Sequence, residues 1–195
     1  MDVESQGTWL LTSESWQTIC LLNGGYEAHI KKGPYRHSRG RVIIDYLAYA
    51  TPKQFIESYN FSGLEPFTLI IICEREGLNI YQITWDGLNV DYFFPDATEP
   101  QIWSSSTLYS PEIKNWRTLL FKQWLSNMDS TYVTDQMYDF HAYAGAQDPE
   151  NAIRMKRASV ETVSITSIEK TAKTWTMTYH DLSLAEKNSH SLVVA

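Results

Sequence analysis

"PFTLIIICEREGLNIYQITWDGLNVDYFF", residues 66–94, reads as three short strands in succession. Phe67 to Cys73 is an unbroken apolar run of strand length, the pattern of a strand buried on both faces. "LNIYQITW" and "LNVDYFF" flank Asp86-Gly87, a dipeptide that favours a type I′ hairpin because both central positions need positive φ. Strands joined by tight turns pair antiparallel, so this stretch sets the class as α+β with antiparallel sheet.

Upstream, "TWLLT" (Thr8 to Thr12) and "WQTICLL" (Trp16 to Leu22) are β-rich and separated by a turn-like "SES", which predicts another hairpin. Val42, Ile43, Tyr46, Leu47 and Ala50 follow helical spacing, with Ser38 as the expected N-cap. Thr51 and Pro52 open a second short helix. Downstream, "QIWSSST" reads as a further strand ending in a serine run. "SPEIKNWRTLLFKQWLS" carries Ser110 at the cap, Pro111 at the first helical position and Ile113, Trp116, Leu120 and Trp124 on one face. Val133, Met137, Phe140 and Ala144 form a second amphipathic face that stops at Gly145. "VETVSITSIE" and "TWTMTYHD" read as two more strands, with Trp175, Met177 and Tyr179 alternating against Thr174, Thr176 and Thr178. No internal repeat or linker divides the 195 residues, so a single domain over 1–195 is expected, with 185–195 as a flexible tail.

Composition narrows the function. A net charge of -7 with no basic block argues against nucleic acid as partner, and no apolar run reaches membrane-spanning length, so no membrane insertion is expected. The opening "MDVESQGTWLL" has acids where the basic region of a secretory leader belongs, which predicts a cytoplasmic protein. Cys20 and Cys73 both sit inside apolar runs, where a thiolate is disfavoured, and read as small core residues. The five histidines show no paired ligand spacing, so neither a metal nor another cofactor is expected.

One polar crossing stands out between the second strand and the first helix. "LLNGGYEAHIKKGPYRHSRGRVIIDYL", residues 21–47, clusters Lys31, Lys32, Arg36, Arg39 and Arg41 within an acidic chain. Long connections of this kind are more often functional than idle, and the local basic charge leaves acidic ligands open. Arg36 and Arg39 suit a carboxylate or phosphate through a planar guanidinium fork, or else belong to a solvated loop. Tyr26, His29, Tyr35 and His37 are placed to line a cleft mouth. Ser104, Ser105 and Ser106 either bind a polar ligand or finish a turn.

"GTWLLTSESWQTICLLNGGYEAHIKKGPYRHSRGRVIIDYL", "PFTLIIICE", "YQITWDG", "IWSSSTLYSPEIKNWRTLLFKQWL" and "VETVSITSIE" together resemble the NRDE family, that of transport and Golgi organisation protein 2-like proteins. The resemblance runs from about Gly7 to Asp181 and implies an N-terminal nucleophile hydrolase-like αββα sandwich, two antiparallel sheets between helical layers. It also implies that Asn23 occupies the position of an oxyanion-binding amide, and that the Ser104–Ser106 run replaces a second such amide with hydroxyls. Family members carry a cysteine after the initiator Met and an Asn-Arg-Asp-Glu motif; this chain opens "MDVESQGTW" and has neither. The resemblance therefore implies an N-terminally shortened domain without catalysis in this form, a C–N amide hydrolase only if a cysteine lies upstream. Its alternative implication is a small-molecule binding or trafficking protein for an acyl, lipid-like or haem-like ligand in the same cleft. Exposed sheet edges make a homo-oligomer a further expectation.

Overall fold

The computed structural model describes residues 6–129 and 133–193. They form a mixed α+β structure with four helices and two antiparallel sheets. None of the described helices is long and apolar enough to cross a membrane. The chain divides into two compact units, one running to Pro111 and the other from Glu112.

In the first unit, β1 (Leu10–Ser13), β2 (Gln17–Asn23), β3 (Phe67–Cys73), β4 (Asn79–Trp85) and β5 (Val90–Phe93) lie side by side in sequence order. β3 is central and coincides with the apolar run that announced it. Its register places Ile71 beside Ile19 and Tyr81, Leu69 beside Leu21 and Ile83, and Phe67 beside Asn23 and Trp85. Alternation puts all nine on one face of the sheet. That face packs on Val42, Ile43 and Tyr46 of α1 (Gly40–Tyr46) and Phe55 of α2 (Pro52–Ser58), with Phe61 and Leu64 filling in. Each such fully buried side chain contributes about 1.5–3 kcal/mol relative to exposure. Asn23 is the polar end of an otherwise apolar row.

Local chemistry explains most boundaries. Thr51 caps α2, its Oγ1 accepting the Gln54 N–H at 3.1 Å, and Pro52 takes the first helical position. α1 differs from expectation: Arg39, already helical, is the N-cap, and no side chain caps it. Ser38 instead contributes its carbonyl, which accepts the Arg41 N–H at 3.1 Å. The β4–β5 hairpin forms where expected, but Trp85 pairs with Val90, so four residues make the turn. Only Gly87 has positive φ there; the Asp86 carboxylate accepts the Leu88 and Asn89 N–H groups, both at 2.7 Å, and fixes a wider turn than type I′.

The second unit contains α3 (Pro111–Asn127), α4 (Val133–Tyr143) and a sheet ordered β6 (Ser164–Lys170), β7 (Thr174–Asp181), β8 (Glu186–Val193). Phe121 and Trp124 of α3 meet Phe140 of α4 at ring separations of 5.6 and 5.1 Å. Arg117 is buried in this unit because its guanidinium donates to the carbonyls of Ala152 (2.7 Å) and Asn151 (3.2 Å). β7 keeps its expected limits, but the alternation breaks. Trp175 is buried, whereas Tyr179 is exposed and Thr178 is buried, its hydroxyl shared with Ser189 at 2.9 Å. β8 occupies a stretch read from sequence as a flexible tail; "EKNSHS" lacks apolar alternation, and only the register with β7 reveals the strand.

Candidate functional site

The sheet of the first unit ends, beside Asn23, in a turn stitched by hydroxyls. The Gly24 N–H donates to the Pro66 carbonyl at 3.0 Å, and Gly24 holds φ +89°, a conformation side chains resist. A Cβ at Gly24 would meet the Thr107 nitrogen at 3.0 Å, and one at Gly25 the Trp85 carbonyl at 2.9 Å. The groups that approach both glycines closely are the protein's own.

Three consecutive carbonyls in this turn each receive a hydroxyl. Ser105 Oγ donates to Asn23 O at 2.7 Å, Thr68 Oγ1 to Gly24 O at 3.0 Å and Ser106 Oγ to Gly25 O at 2.5 Å. This is why "QIWSSST" is a loop and not a strand: its serines bond to a turn more than eighty residues upstream instead of to a neighbouring ladder. Ser104 precedes them in the same loop. The Asn23 Oδ1 is enclosed and has no hydrogen-bond partner among the described residues.

From Gly25 the crossing runs outward. Tyr26 is 53% exposed and donates its hydroxyl to Asp91 of β5 at 2.9 Å, so it braces the outer strand. His29 turns back to Glu65, Nε2 to Oε1 at 3.1 Å, while its Nδ1 is buried without a partner among the described residues. Arg39 approaches the other side of the same carboxylate, Nη2 to Glu65 Oε2 at 3.5 Å, and donates Nη1 to the Pro66 carbonyl at 3.2 Å. The Arg39 and Glu65 side chains keep only 13% and 17% of their surface. Burial lowers the affinity of Arg39 for its proton and Glu65 opposes that, leaving a charged guanidinium at neutral pH.

A groove of about 520 Å³ opens on this ion pair. Trp9, Lys31, Tyr35, His37, Ser38, Arg39 and Glu65 line it, together with Gly33-Pro34, whose peptide bond is cis. Its walls come from the entry to β1, the crossing and the residues just before β3, which the sheet register draws together. Of the residues singled out from sequence, Lys31, Tyr35, His37 and Arg39 line the groove; Arg36 and Tyr26 are engaged elsewhere.

Arg36 belongs to an outer cluster. Its Nη2 donates to the Asn60 carbonyl at 2.6 Å, and its guanidinium lies 5.6 Å from the centre of the Tyr59 ring. The Tyr59 hydroxyl donates to Asp45 Oδ2 at 2.9 Å, and Arg41 Nε donates to Asp45 Oδ1 at 3.0 Å. His37 bridges the cluster and the groove, with Nδ1 2.8 Å from the Ser38 carbonyl and Nε2 3.4 Å from Asp45 Oδ2. Burial, then the Asp45 carboxylate, holds the Tyr59 phenol protonated far above its usual range.

The Cys20 thiol is not activated by its setting. Cys20 lies mid-strand, paired in register with Leu10 and Ile70, and burial pushes its thiol up to about 11. Among the described residues no group of three or more His, Cys, Asp or Glu could hold a metal ion. Sequence reading missed Glu65, Trp9, Asp45 and Tyr59; none carries a motif, and each gains its role from partners distant in sequence. No family model matches the chain, and no curated protein matches it.

Proposed function

We propose that this chain is an NRDE-like domain that binds a small organic molecule in the groove at the exit of β2, and does not turn it over with its own thiols. The observation that carries the reading is Arg39. It is a nearly buried guanidinium facing a groove, with one hydrogen bond and a loose 3.5 Å ion pair among the described residues. Buried charges are ordinarily satisfied, and a donor set left open beside a cavity is the usual mark of a binding site. Within the same reading, the fold class is the αββα sandwich that the NRDE resemblance implies.

A ligand-observed NMR screen of small fragments against the full chain tests this. Hits should weaken in Arg39→Met and Trp9→Ala; hits indifferent to both substitutions would sink the proposal.

A second reading is amide hydrolysis with the Asn23 side-chain N–H as oxyanion donor, which rests on the resemblance of "LLNGG" to that position in the cysteine amidases. Incubation with a panel of acyl amides separates the two. Turnover lost in Asn23→Ala would establish hydrolysis, and its absence leaves binding.

A further inference from the structure

We infer that the ligand of this groove is a small monocarboxylate, clamped by the Arg39 fork with Lys31 as second cation and its body laid on Trp9. The inference rests on the reading that the groove is the binding site and names what it takes.

A guanidinium offers five N–H donors in a rigid plane, and Arg39 spends one on the Pro66 carbonyl. Its approach to Glu65, at 3.5 Å, is too long to count as a hydrogen bond. Its other donors make no hydrogen bond among the described residues, and the residue lines the groove. Glu65 does not depend on Arg39 alone, because His29 holds its other oxygen at 3.1 Å. An incoming anion can take the fork without stranding Glu65.

Charge selects the anion. Lys31 and Arg39 line the groove together with Glu65, which leaves a formal excess of one positive charge among the three, and Lys31 makes no ion pair among the described residues. One carboxylate balances that charge. A phosphate dianion would place excess negative charge beside Glu65, and an amine would meet two cations. Geometry agrees, since two parallel N–H···O bonds match a planar carboxylate better than a point charge does. Trp9 is 48% exposed and offers a flat apolar surface, while the mixed lining and the volume of about 520 Å³ suit a compact body over a long acyl chain.

The test is isothermal titration of the full chain, at low ionic strength, with benzoate, benzamide, benzylamine and phenyl phosphate, which share one body and differ in head group. Benzoate should bind best, with benzamide and benzylamine weaker by roughly tenfold or more. Arg39→Lys, which keeps the charge and loses the fork, should weaken benzoate by roughly tenfold while circular dichroism stays that of the native chain. Preference for the amine or the phosphate, still sensitive to Trp9→Ala, would overturn the carboxylate assignment and leave the groove as the site. Benzoate binding unchanged in Arg39→Lys would also overturn it. Failure of all four compounds to bind would overturn the groove reading itself.

Discussion

Arg36 and Arg39 lie three residues apart in one loop and end in opposite conditions. Around Arg36, the described contacts close on themselves: guanidinium to the Asn60 carbonyl, ring of Tyr59 beneath, Tyr59 to Asp45, Asp45 to Arg41. Around Arg39 they do not, for among the described residues a deeper guanidinium has a single hydrogen bond and a 3.5 Å ion pair, and it lines an open groove. The outer cluster fastens α1 to the end of α2. The inner one sets a charged pair beside a groove, the feature on which the proposed ligand binding rests.

Tyr59→Ala should produce the largest effect. It removes a ring stacked on Phe55 at 4.6 Å, an edge contact to Phe61 at 5.1 Å and the Asp45 bond. Urea unfolding should show a loss of about 3–4 kcal/mol with benzoate affinity unchanged; a loss of affinity instead would erase the division between the clusters. Next comes the inner pair. Arg39→Met alone should cost about 1–2 kcal/mol by leaving Glu65 poorly compensated, whereas the Arg39→Met, Glu65→Gln double substitution should lie within about 1 kcal/mol of the native chain. A double variant as unstable as the sum of both singles would show that Arg39 and Glu65 do not stabilise each other.

Cys20 sharpens the contrast with an activated site. Its folded pKa is raised, so its contribution to stability is complete below the ordinary thiol value of about 8.5 and is lost as pH rises from there through about 11. Iodoacetamide at neutral pH should therefore modify Cys20 far more slowly than it modifies the urea-unfolded chain, as read by peptide mass; equal rates would reopen thiol chemistry. Asp86 should give the smallest effect. The Asn89 and Leu88 N–H groups hold its carboxyl below the usual range, so its stabilisation is present at neutral pH and is lost as acid titrates the folded carboxylate. A carboxyl titration followed by NMR should place Asp86 below the exposed, unbonded carboxylates.

The elements legible in sequence were those whose signals are local. The apolar run of β3, the Thr-Pro start of α2 and the Pro111 start of α3 declare themselves within a few residues. β8 and the serine loop did not, because one is a strand by virtue of its neighbour and the other a loop by virtue of carbonyls at 23–25. The site was half legible. Basic residues in an acidic chain marked the crossing, yet nothing local distinguishes Arg39 from Arg36. That distinction comes from Glu65 and Pro66 on one side and Tyr59 and Asn60 on the other, all set by how the chain returns to β3. Trp9 and Glu65 looked like an ordinary strand residue and an ordinary loop acid until the register brought them to one groove.

The most direct measurement is the guanidinium Nε–H resonance of each arginine, followed by nitrogen-proton NMR as benzoate is added to the full chain. Arg39 Nε–H should shift with saturation while Arg36 Nε–H stays in place. Movement at Arg36 with Arg39 silent would contradict the assignment of the inner cluster as the binding site.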